Sequence, residues 1–126
     1  MTTEDLIATA REVATRAYAP YSGFRVGAVV VAADGSRYTG ANVENGAYGS
    51  SICAEASAIA AAVSAGVRQI DTIAVACLDA PTEGGYPCGN CRQLMNEFRV
   101  ETVLVDDPEG PRTHTLGDLL PHGFRL

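Results

Sequence analysis

Two short motifs place cysteines at the start of helices, and they limit the possible folds of this chain more than any other feature. The motif C-A-E at residues 53–55 opens the alanine-rich run of residues 50–66, and P-C-G-N-C at residues 87–91 opens a second helical pattern. Inside a helix, side chains two positions apart point about 200° apart, so Cys53 and Glu55 can serve one site only at the first turn. We therefore expect a site at the N-terminal ends of these helices.

The cysteine spacing indicates a metal site. Cys88 and Cys91 are three residues apart and lie on one helix face, the usual spacing of a paired-thiolate clamp. With Cys53 they supply three thiolates and leave a fourth position open, which is typical of a catalytic zinc rather than a closed structural one. The positive ends of the two helix dipoles would partly offset the anionic ligand set. The pattern predicts one Zn²⁺ bound by these three cysteines.

Other interpretations of these residues stay open on the pattern alone. A C-G-x-C motif before a helix also begins dithiol oxidoreductases, although redox chemistry has no use for Cys53-x-Glu55. Cys77 could close a structural zinc site, but it lies in an apolar run, where a free cysteine acts as a small hydrophobe, and we expect it in the core. Glu55 could merely cap its helix. His114 and His122 lie in the C-terminal tail, away from both motifs, and are poor ligand candidates.

Composition excludes several classes of protein. A chain of 126 residues that is 47% hydrophobic fits one globular domain, residues 1–126. The formal charge of -6 and the lack of a basic cluster argue against nucleic acid as a partner and favour a small neutral substrate. No charged N-terminal segment leads into an apolar run, so we expect a cytoplasmic protein with no membrane partner. In the reducing cytosol, cysteines serve metal binding or catalysis more often than disulfides.

Hydrophobic periodicity predicts the element order αββαβαβ followed by a possible fifth strand. The predicted elements are a helix at 3–18, strands at 24–33 and 36–45, a helix at 50–66, a strand at 72–78, a helix at 87–98, strands at 101–107 and 112–115, and a short helix at 116–124 broken at Pro121. Asp34-Gly35 is a strong hairpin signal between the first two strands. This order predicts an α/β fold of three layers, α/β/α, with a mixed five-stranded sheet.

The ordered set of motifs resembles the small homotetrameric cytidine deaminases. Zinc nucleobase deaminases carry a first ligand, one residue and a Glu, followed later by Pro-Cys-x-x-Cys. The resemblance extends over nearly the whole chain, through YAPYSGFRVGA at 18–28, TGANVEN at 39–45, CGNCRQ at 88–93 and LLPHGF at 119–124. It implies a cytidine-deaminase-like fold, one Zn²⁺ per subunit and a homotetramer with sites shared between subunits.

The resemblance also implies a reaction. Cytidine and 2′-deoxycytidine would be hydrolysed to uridine and 2′-deoxyuridine with release of ammonia, a step of pyrimidine salvage. The zinc would lower the pKa of its bound water towards neutrality, and Glu55 would carry protons from that water to ring N3 and to the departing amine. The alternative is a deaminase of another aminopyrimidine nucleoside, such as blasticidin S, which need not keep the ribose-reading Asn-x-Glu of NVEN.

Substrate contacts follow from the same resemblance. The Ala54 backbone N–H would face the pyrimidine O2, and the Tyr86 carbonyl would receive the leaving ammonia. The other implied substrate-binding residues are Phe24 against the base, Asn42, Val43 and Glu44 around the ribose, and Tyr48 and Phe124, which would reach a neighbouring subunit's site. Without the resemblance, Asn42 is equally well explained as a turn residue, and Phe24 is better explained as a core residue.

One position departs from the family pattern. Many tetrameric members read C-A-E-R, in which the Arg is implied to offset the three thiolates, whereas this chain has Ala56. Arg92 and the two helix dipoles remain as sources of positive potential. We therefore expect a working zinc site that is tuned differently.

Overall fold

A computed structural model describes residues 2–80 and 85–126, and it contains one five-stranded sheet. The elements are α1 (Thr3–Ala14), β1 (Val26–Ala32), β2 (Arg37–Ala41), a 3-10 turn (Tyr48–Ser50), α2 (Ala54–Ser64), β3 (Ile70–Cys77), α3 (Gly89–Glu97), β4 (Thr102–Asp107), β5 (Gly110–Thr115) and α4 (Leu116–Leu119). The strand order is β2-β1-β3-β4-β5; β3 and β4 are parallel and the other neighbours antiparallel. The predicted mixed five-stranded sheet is confirmed.

Helices cover both faces of the sheet, as predicted. Side chains alternate along each strand, so one face of the sheet meets α1 and the other meets α2 and α3. On the α1 face, Leu6, Ile7 and Ala10 pack with Val29 and Leu104. The opposite cluster contains residues of α2, α3 and the sheet: Ala58, Ile59, Met95, Val30, Ile73, Val75, Val103 and Val105. Among the described residues, no helix is long and apolar enough to cross a membrane.

Several predicted elements are longer than those observed. Helix α1 ends at Ala14 rather than near residue 18, and α2 begins at Ala54 rather than at residue 50. Strand β2 ends at Ala41, because the next residues turn towards segment 21–26 and bind it through their side chains. The final helix ends at Leu119, since Pro121 has no N–H with which to continue it.

Two glycines let helices approach the sheet closely. A Cβ at Gly27 of β1 would lie 2.5 Å from the Ala14 nitrogen of α1. A Cβ at Gly40 of β2 would lie 2.8 Å from the Ala54 carbonyl oxygen, at the start of α2. Real Cβ contacts are longer than this, so the second glycine sets how near the Cys53–Glu55 end of α2 can come to the sheet.

Candidate active site

The three predicted ligands lie together at the ends of two helices. Cys53 is the N-cap residue of α2, Cys88 is the N-cap residue of α3, and Cys91 lies in the first turn of α3. Their sulfur atoms all lie within 4.8 Å of one another. Neither N-cap cysteine uses its side chain to cap its helix, so both thiols remain free to bind a metal. Helices α2 and α3 thus present their N-terminal ends to one point.

This cluster fits zinc. A tetrahedral Zn²⁺ with Zn–S bonds of about 2.3 Å holds its sulfurs about 3.8 Å apart, so the thiols need only a small contraction. Cys77 is not a member of the cluster formed by the described residues, which removes the closed four-thiolate alternative. The expectation that Cys77 lies in the core is wrong: it is half-buried at the end of β3 and lines the cavity beside the cluster.

The surroundings shift the pKa of each ligand thiol. Burial raises the pKa of Cys53 and, most strongly, that of Cys91. Burial also acts on Cys88, but hydrogen bonds from the Cys91 backbone and from the other two thiols outweigh it and lower the pKa of Cys88. Two of the three ligands therefore favour the protonated form without a metal, and a cation must displace their protons in order to bind.

Glu55 is the one charged side chain that is buried among the described residues, with an exposed fraction of 5%. Burial raises the pKa of its carboxyl group, opposed in part by a hydrogen bond from its own backbone N–H. An acid that merely caps a helix gains its benefit at the surface and avoids this desolvation cost. Burial beside three thiols is instead the arrangement of a group that must hold and release a proton near neutral pH.

A cavity of about 340 Å³ joins the cysteines to most of the predicted substrate contacts. Its volume lies in the range of small-molecule sites. The predicted residues that line it are Cys53, Cys88, Glu55, Phe24, Asn42, Glu44, Ala54 and Tyr86. Cys91 is buried and absent from this lining. The structure therefore brings the ligands, the buried carboxyl group and five of the predicted contacts to one place.

Asn42 and Glu44 hold the wall of this cavity. The Asn42 amide accepts a hydrogen bond from the Val26 N–H at 2.8 Å and donates one to the Phe24 carbonyl at 2.9 Å. Glu44 accepts hydrogen bonds from the backbone N–H groups of Tyr21 and Ser22 and from the Ser22 hydroxyl. These bonds lower the pKa of Glu44, chiefly through Ser22. The turn-forming interpretation of this segment is thus part of the observed structure.

Three predicted contacts lie outside the cavity. Val43, Tyr48 and Phe124 have exposed fractions of 46%, 80% and 65%. The Tyr48 ring meets Tyr21 edge to face at 6.5 Å, beside a second hollow that shares Ser22 and Glu44 with the cavity. The outward position of Tyr48 and Phe124 is what a role towards another subunit requires, and the single chain brings none of the three residues to the cysteines.

The structure adds site residues that the sequence pattern did not indicate. Ser22 lines the cavity and bonds Glu44. Close to Ser22 in sequence, Arg25, which precedes β1, forms a two-point ion pair with Asp79, which follows β3, and each contact is 3.0 Å long. The motif YAPYSGFRVGA, which resembles the family, is the one available signal for Ser22. For a pair separated by 54 residues, no local signal exists.

The expectation that His114 lies away from both motifs is wrong. Its Nε2 atom lies 3.0 Å from the hydroxyl of Tyr86, which is two residues before Cys88. The described residues contain no metal cluster with a histidine, so its exclusion as a ligand agrees with the geometry. Strand β5 carries His114 to this position, because pairing with β4 brings the strand alongside the sheet.

Ala56 and Arg92 are the two positions that bear on the charge of the site. Ala56 lies half-buried in the first turn of α2. Arg92 donates hydrogen bonds to the Pro87 carbonyl and the Leu119 carbonyl, both at 2.8 Å. The guanidinium group is therefore fixed next to the residue that precedes Cys88.

Comparison with known proteins decides the family. The model of the cytidine and deoxycytidylate deaminase zinc-binding region matches residues 1–106. The chain belongs to this deaminase family. The cytidine deaminase of Sporosarcina psychrophila is 48% identical over 128 residues, with 98% of this chain and 92% of that protein covered. The cytidine deaminase of Mycobacterium tuberculosis (strain CDC 1551 / Oshkosh) is 44% identical over 117 residues, with 93% of this chain and 85% of that protein covered.

Solved structures agree with this assignment to the deaminase family. The crystal structure of cytidine deaminase from Burkholderia pseudomallei has a TM-score of 0.90 at 40% identity, with 98% of this chain and 100% of that chain covered. That of cytidine deaminase from Mycobacterium tuberculosis has a TM-score of 0.84 at 39% identity, with 100% and 99% covered. The predicted fold class is confirmed. So is zinc as the cofactor, because the family region is zinc-binding and the cysteine cluster suits that metal.

Proposed function

We propose that this deaminase hydrolyses cytidine and 2′-deoxycytidine to the corresponding uridines and ammonia. The observation that carries the proposal is the position of Glu55, buried beside three clustered thiols in a cavity that also contains Phe24, Asn42 and Glu44. The relatives named cytidine deaminase support the substrate, and the alternative of a blasticidin-type deaminase is not favoured.

Zinc held by Cys53, Cys88 and Cys91 would supply a water of lowered pKa as the nucleophile. Glu55 would transfer the protons. Its carboxylate takes a proton from the attacking water and delivers it to ring N3, so that C4 becomes electrophilic. A second transfer through the same carboxyl group protonates the departing amine. A pKa raised by burial suits a group that must both accept and return a proton near pH 7.

The remaining contacts would orient the nucleoside. We assign the Ala54 N–H to the pyrimidine O2, the Phe24 ring to the base and the Tyr86 carbonyl to the leaving ammonia. Asn42 uses one amide N–H within the chain and has a second one free to donate. Oε2 of Glu44 accepts one hydrogen bond within the chain and can accept another. These two free positions can bind one ribose hydroxyl as donor and acceptor. Neither needs a 2′-hydroxyl, so both sugars are accepted.

The charge of the cavity favours a nucleoside over a nucleotide. None of the described residues that line it is a Lys or Arg, while Glu44 places a carboxylate there. The guanidinium of nearby Arg25 is bound to Asp79 and is not offered to a phosphate. A 5′-phosphate would therefore meet negative charge without a counter-ion.

We further propose that the 126 residues form one deaminase domain that assembles as a cytoplasmic homotetramer, without nucleic-acid or membrane partners. The exposure of Tyr48 and Phe124 supports shared sites, because these side chains are free to meet another subunit. Light scattering coupled to size exclusion tests the assembly. A monomer that is fully active would contradict it.

An assay of ammonia release from cytidine, 2′-deoxycytidine, CMP and blasticidin S tests the activity, with and without a chelator. Both nucleosides should react, CMP should react poorly, and the chelator should abolish turnover. Turnover confined to blasticidin S, or turnover that survives removal of the metal, would contradict the proposal.

A further inference from the structure

The residues Gly85, Tyr86, Pro87 and Cys88 form a strap that runs along the cavity wall into α3. Gly85 is pressed against β3, where a Cβ on it would lie 2.7 Å from the Cβ of Cys77. The Pro87 carbonyl is held by the Arg92 Nε at 2.8 Å. Cys88 ends the strap as the N-cap of α3. Each of these three residues is thus fixed by an element close to the cavity.

Tyr86 is anchored at a more distant place. Its hydroxyl lies 3.0 Å from the Nε2 atom of His114, and the two rings meet edge to face with centroids 5.3 Å apart. His114 lies on β5 opposite Val103 of β4, so this contact ties the strap to the sheet. The hydroxyl can donate to a neutral imidazole nitrogen or accept from a protonated one, and the contact is kept in either state.

The strap depends on such side-chain anchors because it has no regular secondary structure. Among the described residues, no hydrogen bond uses the Tyr86 carbonyl, although Tyr86 lines the cavity. Pro87 has no N–H with which to bind a neighbouring segment. The direction of the Tyr86 carbonyl therefore depends on where the Tyr86 ring is held, and the same contact adds to the hold that α3 and Arg92 have on Cys88.

We propose that His114 is a positioning residue of the site: through the Tyr86 hydroxyl it holds the strap, and with it the Tyr86 carbonyl and the Cys88 thiol, in place. His114 touches neither substrate nor metal in this arrangement. The part that concerns the carbonyl and ammonia rests on the proposed function, whereas the part that concerns Cys88 rests only on the cysteine cluster.

Three variants of the zinc-loaded protein test this role. Tyr86→Phe keeps the ring and removes the hydroxyl, His114→Leu removes the partner, and His114→Gln restores a polar group near the position of Nε2. Thr113→Val is the matched control, since Thr113 is the exposed neighbour of His114 on β5. For each protein, kcat and KM on cytidine are measured, together with the rate at which zinc is lost to a chromophoric chelator.

We expect Tyr86→Phe and His114→Leu to lower kcat roughly three- to tenfold with little change in KM, and to speed zinc loss by a similar factor, because one hydrogen bond is lost. Thr113→Val should match the wild type in both measurements, and His114→Gln should restore kcat and the rate of zinc loss towards the wild-type values. A change in either measurement that His114→Gln reverses supports the proposal.

Wild-type values of both measurements in Tyr86→Phe and His114→Leu would overturn the proposal. So would a His114→Gln variant as impaired as His114→Leu. If the wild type released no ammonia from cytidine, the proposed function would fail. The zinc-loss rates would then decide the positioning role by themselves.

Discussion

Gly40 of β2 lies directly against Ala54 of α2, so close that a Cβ on the glycine would stand 2.8 Å from the Ala54 carbonyl oxygen. Cys53 and Glu55, the residues on either side of Ala54 in the sequence, both belong to the site. We predict that Gly40→Ala pushes α2 outward, costs about 1–3 kcal/mol of stability through overpacking, and weakens zinc binding at least tenfold. Chemical denaturation and metal competition measure the two effects.

Two other glycines provide controls for this prediction. Gly27→Ala should destabilise the protein comparably, because the new Cβ meets the α1 backbone, but α1 covers the opposite face and zinc affinity should not change. Gly117→Ala should change neither quantity, since its nearest contact is 3.9 Å away. Equal loss of zinc affinity in the Gly27 and Gly40 variants would show that the effect is global.

The proposed chemistry predicts that Glu55→Gln separates turnover from metal binding. The amide cannot accept and return a proton, so kcat should fall by about 10²–10⁴-fold, while the three cysteines still hold zinc. Ammonia release and metal analysis of the purified protein measure the two properties. Glu12→Gln, on the exposed face of α1, is the matched control. Near-normal activity in the Glu55 variant would refute the assigned role.

Zinc uptake should release protons. Burial raises the pKa of Cys53 and Cys91, so both thiols are protonated in the metal-free protein at pH 7 and must lose their protons to bind zinc. We expect at least two protons to be released per zinc, and an apparent affinity that weakens at least about 100-fold for each unit fall in pH. Calorimetry in buffers of different ionisation enthalpy measures the count.

The fourth cysteine is the control for the proton count. Cys77 is half-buried but lies outside the cluster, so Cys77→Ser should leave both the proton count and the pH slope unchanged. An affinity independent of pH in the wild type would mean that the ligands are already thiolates before the metal arrives.

Glu44 should contribute to acid stability. Its hydrogen bonds, chiefly with Ser22, hold the pKa of this carboxyl group below its unfolded value. The folded state therefore releases this proton more readily, and the stabilisation is present above about pH 4.5 and is lost as pH falls through the folded pKa. The stability gap between wild type and Glu44→Gln, measured by urea unfolding, should be constant from about pH 7 to 5 and should narrow as pH falls through the folded pKa. A gap that does not vary with pH would contradict this assignment.

Ala56→Arg should lower the apparent pKa of the acid limb of the pH–rate profile. A guanidinium in the first turn of α2 stabilises the anionic forms of Glu55 and of the ligand set, whose charges lie at the same helix end. Ala56→Gln supplies similar bulk without charge and should leave that limb where it is. Overlapping profiles for all three proteins would show that a charge at this position does not change the apparent pKa of the acid limb.

Local sequence patterns predicted much of the site, because the clustered cysteines and the buried carboxyl group lie in two short segments. The spacings within 53–55 and 87–91 identify ligands that helix geometry alone can aim at one point, and the alternation of apolar residues predicts the layers that hold them. Element ends were predicted less well. The end of β2, for example, depends on the bonds of Asn42 and Glu44 to a segment about 20 residues away.

The sequence by itself determined the three cysteines proposed as zinc ligands, the catalytic candidate Glu55 and the three-layer order, since each follows from spacing along a few turns or strands. Only the tertiary structure decided that Cys77 lines the cavity, that Arg25 meets Asp79 and that His114 anchors Tyr86. The physical reason is that strand pairing and its register set these neighbours. Both are collective properties of the sheet, and no single segment of the chain encodes them.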